Sequence, residues 1–229
     1  MKIAYSLKQK MKIATFLFAI MACTILIRFL EDKSVKSMNE SFVSMYNDRL
    51  IPATDLFYIS ERIFAKKYML DSFLYSGNPD KKDVKLLKSQ FEKFNSTIDS
   101  LMKKYEKTFL VKQEKLQLAE LKVRLVKSIA TEQNVISLSE THSIEDGRKL
   151  FETVGRETSR QTLQKVTELM RIQTQVGQEL IQSSESMVSR SKLYSTLQIA
   201  LAVLIGILVV GIISASNVVQ VKNDKFNLN

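Results

Sequence analysis

Two apolar runs, residues 13–30 and 197–213, bracket a long polar stretch, and this bracketing constrains the chain more than any other feature. The first run is interrupted only by Thr15, Cys23, Thr24 and Arg28, the second only by Gln198. A hydrocarbon core takes about 20 mostly apolar helical residues, so each run is expected to cross a membrane once. Arg28, near the end of its run, can lift its guanidinium toward the headgroups. Lys2, Lys8, Lys10 and Lys12 precede the first run with no acid among them, which places the N-terminus inside. Two crossings return the C-terminus to the same side and leave residues 31–192 outside the cytoplasm. A cleaved signal peptide is the rival reading of the first run, but no A-x-A site ends it. Ile20-Met21-Ala22-Cys23 loosely resembles a lipid-attachment box, and Met21 together with the apolar stretch 24–27 argues for a plain helix. Small residues four apart at Ala19/Cys23, Ala202/Gly206 and Gly211/Ala215 offer places for close helix approach.

Between the runs the pattern is helical throughout. Only two prolines and six glycines occur in 229 residues, too few for a sandwich or barrel, and no segment alternates like a strand. One cysteine and one histidine rule out an intramolecular disulfide framework and a Cys- or His-rich metal site. The formal charge of +10 invites a nucleic-acid reading, but five of the basic residues lie in residues 1–30 beside the apolar run. Residues 31–192 hold 27 basic and 23 acidic side chains, and no basic face interleaves with aromatics, so no nucleic-acid partner is expected.

Breakers divide the middle into four helices, at about 31–76, 79–107, 112–141 and 144–192. Gly77-Asn78-Pro79 reads as a C-cap, N-cap and first-turn proline in succession. Ser143 and Asp146 are spaced like a capping box, and the break near 108–112 is placed by a change of apolar phase. In the first helix Val35, Met38, Phe42, Met45, Leu56, Ile59, Ile63, Leu70 and Phe73 follow one seam, with Arg49, Pro52 and Lys66 in its remaining places. Val84 through Tyr105 continue the pattern in the second helix, and Leu118, Leu121 and Leu125 in the third, where Ser128 and Glu132 interrupt it. Val166, Leu169, Gln173, Val176, Leu180, Ser183, Met187, Tyr194 and Leu197 carry it through the fourth. Such 3–4 spacing over many turns predicts an all-α, antiparallel, up-down-up-down four-helix bundle. The first and fourth helices span roughly 70 Å and the middle pair about 45 Å at 1.5 Å per residue. The expected architecture is therefore a bundle on a two-helix stalk continuous with two transmembrane helices. Its parts are a cytoplasmic tail 1–12, spans 13–30 and 193–216, the bundle 31–192, and a short cytoplasmic tail 217–229.

This arrangement resembles the four-helix-bundle sensory module of bacterial methyl-accepting chemotaxis receptors, over roughly residues 1–216. Met45-Tyr46-Asn47-Asp48-Arg49-Leu50-Ile51-Pro52 is similar to that module's Asp-Arg-(Leu/Val)-x-Pro stretch, and Ser76-Gly77-Asn78-Pro79 to its first distal turn. The resemblance implies a bacterial inner-membrane protein with its bundle outside, dimerising along helices 1 and 4 and taking up small ligands. It also implies that a small shift of the helix entering the second span carries the signal inward. About 13 residues follow that span, where such a receptor would continue into a linker and a signalling hairpin. The expected function is thus a sensory module that detects a small ligand or envelope partner and relays a helix displacement to a separate membrane output protein. The alternative is a structural or assembly subunit whose bundle docks another membrane protein and senses nothing.

Candidate residues follow from polar interruptions of apolar seams, because buried polar groups must find partners. Lys66, Arg156, Ser128 and Glu132, with Gln90 close by, come to a similar height when helices are counted from the distal turns. They form either a ligand site, with Lys66 and Arg156 holding a carboxylate, or a Lys66–Glu132 pair that fixes helix register. Arg49, Pro52 and Gln173, with Glu114 nearby, form a second layer. Pro52 removes a backbone donor and should bend the helix there, leaving Arg49 to cap freed carbonyls, to latch a hinge to the fourth helix or to clamp a ligand. His142 is expected to be exposed in a turn. No nucleophile–base pair, Gly-rich phosphate loop or metal-spaced cluster is present, so no enzyme activity, metal or cofactor is expected.

Overall fold

The computed structural model describes residues 2–76 and 81–224, and every regular element among them is helical. The order is α1 (Lys2–Ser44), a π-helical segment (Met45–Leu50), α2 (Ile51–Tyr75), α3 (Lys81–Glu106) and α4 (Lys112–Thr141). Then follow α5 (Ile144–Leu150), a second π-helical segment (Phe151–Gly155) and α6 (Arg156–Asp224). The turn expected at Gly77-Asn78-Pro79 lies outside the described residues. The chain divides into a unit of Phe42–Ile181 and a unit made of Met1–Ser41 with Gln182–Asn229.

Within the first unit four helices enclose two apolar clusters. Leu56, Ile59 and Ile63 of α2 meet Ile98, Met102 and Tyr105 of α3, Leu118, Leu121 and Leu125 of α4, and Val166 and Leu169 of α6. A second cluster joins Leu70, Phe73 and Leu74 to Val84, Leu87, Phe91, Val135, Ile136 and Phe151. Each such side chain, fully buried, is worth about 1.5–3 kcal/mol. Contacts climb one helix as they descend the next: Asp55 meets Lys104 and Lys66 meets Asn95, while Glu106 meets Lys122 and Lys88 meets Glu140.

Local chemistry sets the ends. Glu114 accepts from the Val111 amide at 2.7 Å, holding the first turn of α4. The Ser143 hydroxyl accepts from the Asp146 amide at 3.1 Å, the cap that the spacing predicts. Arg148 closes the other end of the bundle by donating to the Leu74 carbonyl at 2.9 Å while its guanidinium lies over the Tyr75 ring. At Gly155 a Cβ would sit 2.7 Å from Phe151 Cδ2, so glycine is what lets that ring lie against the π-helical turn.

Two registers depart from the sequence expectation. Val35 and Phe42, placed on the seam, are about half exposed, and Ser34, Ser41 and Ser44 are the more covered positions. The cause is the π-helical turn at Met45–Leu50, whose extra residue shifts the helical face by one position. In α6 Ser184 is buried where Ser183 was expected, and Leu197 is exposed.

The second unit consists of the first forty residues and the C-terminal part of α6. Ser34 donates to the Met187 carbonyl at 3.1 Å, and Ile20 is buried. Cys23 and Gly206 are exposed, and a Cβ at Gly206 or Gly211 meets nothing within 4 Å among the described residues. Two helices, Lys12–Tyr75 and Ile144–Gly211, are long and apolar enough to cross a membrane, and their apolar windows are only 6% and 0% buried.

Candidate functional site

Pro52 has no amide to offer the carbonyl of residue 48, and its ring would collide with that carbonyl in a regular helix. The chain answers with the wider π-helical turn just before it, in which the Ile51 amide reaches back to the Tyr46 carbonyl. Thr54 supplies a further donor to the Leu50 carbonyl at 2.9 Å. The bend expected of Pro52 is thus expressed as a change of helix type.

That turn aims Arg49 into the bundle, where it is 4% exposed. Its Nη1 donates to both oxygens of Glu114 at 2.9 Å and lies 3.2 Å from Gln173 Oε1, while Nη2 donates to the Phe109 carbonyl at 2.9 Å. Tyr105 joins α3 to the group, donating to Glu114 at 3.3 Å and accepting from Gln173 Nε2 at 3.0 Å. Burial, above all, raises the Tyr105 phenol far above its ordinary range, so it stays protonated as a donor. Arg49 and Gln173 do meet in one layer, with Pro52 buried one turn further along the chain. Glu114 and Tyr105 complete it, and the turn carrying Phe109 is fastened to it again by Asp48, which accepts from the Phe109 amide at 3.1 Å. Four helices therefore converge on one guanidinium. Tyr105 read from sequence as an ordinary seam residue, and its hydroxyl was the only clue to more.

A second polar layer separates the two apolar clusters. Lys66 Nζ lies 2.5 Å from Glu132 Oε2 and 2.6 Å from Asn95 Oδ1, with the Phe91 ring centroid at 5.4 Å. Ser128 donates to Glu132 Oε1 at 3.3 Å. Burial pushes the Glu132 carboxyl above its ordinary range, against the opposing pull of Lys66 and Ser128. Lys66, Ser128 and Glu132 are thus brought together. Arg156 is not: it lies 3.0 Å from Asp71, half exposed and stacked over Phe151, and makes no contact with the Lys66 pair. Counting residues from the turn missed the π-helical segment at Phe151–Gly155, which rotates Arg156 away from the interior. The same counting placed Gln90 beside Lys66, whereas Asn95 fills that position. His142 is exposed in the turn after α4.

Cavities lie on the α3–α4 side of this layer. One of about 240 Å³ is walled by Phe91, Glu92, Asn95, Glu132 and Gln133, and another of about 320 Å³ by Ile98, Met102, Leu125 and Val126. Asn95 and Ile129 line both. Among the described residues no group of His, Cys, Asp and Glu is arranged to hold a metal ion.

A family model described as a four helix bundle sensory module for signal transduction matches residues 4–188. No curated protein and no solved structure matches the chain. The family is a signalling one and not a catalytic one. With most of its length matched, the chain belongs to the four-helix-bundle sensory modules of signal transduction.

Proposed function

We propose that this protein is a two-pass bacterial inner-membrane sensor. Its antiparallel bundle lies outside the cytoplasm, dimerises along helices 1 and 4, and passes a displacement of α6 to a separate output protein. The Arg49 layer carries this reading. One buried guanidinium ties the helix entering the bundle, the α3–α4 turn and Gln173 of α6 together, and α6 then runs unbroken from Arg156 to Asp224. A small shift of α6 must exchange Gln173 against Arg49 and Tyr105, and such discrete exchanges are how packed interfaces switch. Exposed Phe57, Phe64 and Tyr68 on α2 supply an apolar stripe for the second copy.

The same stripe favours a second reading, in which the bundle docks another membrane protein and senses nothing. Thermal unfolding of the full chain in lipid nanodiscs, screened against amino acids, organic acids, amines and metal ions, separates the two. A ligand present at 100 times its dissociation constant adds about 2.7 kcal/mol of stability. A clear rise in Tm with one class supports the sensor. No rise with any class leaves the docking subunit.

A further inference from the structure

The floor of the α3–α4 groove is made of core residues. Phe91, Ile98, Met102 and Leu125 are each at least nine-tenths buried, yet they line its two chambers. The groove therefore reaches into the bundle between the two helices. Where the chambers meet stands the Lys66 layer, since Asn95 borders both and Glu132 walls the upper one.

The chemistry of the upper chamber suits a cation. Its walls offer two carboxylates, Glu92 and Glu132, the amides of Asn95 and Gln133, and the Phe91 ring. Glu92 makes no ion pair among the described residues. The lysine at the chamber's edge, Lys88, is held by Glu140 at 2.6 Å. The protein already demonstrates the fit: the Lys66 ammonium sits among the Glu132 carboxylate, the Asn95 carbonyl and the Phe91 ring. Carboxylate, amide oxygen and aromatic ring are what an ammonium group is recognised by. Glu132 has room for a third donor, because a carboxylate offers about four acceptor positions. Lys66 holds one of its oxygens and Ser128 the other.

We infer that the α3–α4 groove is a binding site for a small organic amine, its ammonium shared between Glu132 and Glu92 in the upper chamber and its apolar body lying along Ile129 toward Met102 and Leu125. The inference rests on the sensory reading and names the ligand class for it. The groove lies between α3 and α4, away from the α2 stripe assigned to the second copy.

The test uses the full chain in nanodiscs with 2-phenylethylamine as probe and 3-phenylpropionate, which has a similar apolar body and the opposite charge, as control. Titration calorimetry should show the amine binding and the carboxylate silent. Glu132→Gln should weaken the amine about tenfold or more, as loss of a charge-assisted hydrogen bond does. Glu92→Gln, at an exposed position, should weaken it by a smaller factor without disturbing the fold. Ile129→Trp, which fills the passage between the chambers, should abolish binding while the protein still unfolds cooperatively. Should Glu132→Gln fail to fold, the Glu92 and Ile129 variants decide the matter. Equal or tighter binding of the carboxylate, amine binding that survives Ile129→Trp, or no amine binding at millimolar concentration overturns the site. If the amine is silent while another class raises Tm, the site falls and the sensory reading stands.

Discussion

The bundle contains two buried charged layers, and they solve the same problem in opposite ways. At Arg49 the guanidinium meets a carboxylate through two bonds, a backbone carbonyl and an amide, so that Glu114 is fully enclosed and multiply satisfied. At Lys66 a single ammonium serves Glu132 and Asn95, the carboxyl is pushed upward by burial, and cavities open beside it. The difference shows that burial alone does not define a layer's role. A fork of donors in fixed geometry makes a rigid junction, whereas a point charge beside a titratable carboxyl and open space makes an adjustable one.

The sharpest way to break this contrast is to remove each cation. Arg49→Met should cost about 3–5 kcal/mol in denaturant unfolding, since Glu114 is left charged with no counterion in the core. Lys66→Met should cost less, about 1–3 kcal/mol, because burial already raises the Glu132 carboxyl and, with Lys66 gone, it can take up a proton instead of staying charged. An equal or larger loss at Lys66 would erase the distinction. Tyr105→Phe should cost about 1 kcal/mol by removing the hydroxyl between Gln173 and Glu114, with little change in the second layer.

A pH comparison sharpens the same contrast at smaller amplitude. A carboxyl whose folded pKa lies above its unfolded value binds its proton more tightly when folded. Its stabilising contribution is complete below the unfolded value of about 4.5 and is lost as pH rises through the folded value. The stability of the parent relative to Glu132→Gln should therefore grow as pH falls from 7 toward 4.5, then level off. A difference that stays flat, or shrinks with falling pH, would show that the carboxyl is not raised. Glu157 runs the other way: Arg160 and Gln161 hold it down at about 2, so its contribution fades only as pH falls toward that value.

What the sequence revealed and what it hid follow from helix geometry, local in some places and between helices in others. Periodicity identified the helices, the start of α4 at Lys112 and the Ser143 cap, because each is a local pattern. It also brought Lys66 to Glu132 and Arg49 to Gln173, since polar residues on apolar seams have few places to go. It failed wherever a π-helical turn intervened. Val35 and Phe42 lost their seam below Met45–Leu50, and Arg156 turned outward after Phe151–Gly155. Pro52 was a visible warning of the first turn, but nothing comparable marks the second beyond Gly155 beside Phe151. The partners Asn95 and Tyr105 were hidden differently: their register against another helix depends on the exact height of the connecting turns, which composition does not set.

In a sensor of this kind α6 moves at the Arg49 junction when the bundle is occupied. The most direct measurement places a trifluoromethyl label on Thr174→Cys, exposed beside Gln173, in a Cys23→Ser background of the full chain in nanodiscs. The label's fluorine resonance is followed while titrating the panel compound that raises Tm most. The resonance should move in step with occupancy and stop moving in Arg49→Lys, which loses the fork. Saturation with the resonance unmoved in the parent would contradict that movement.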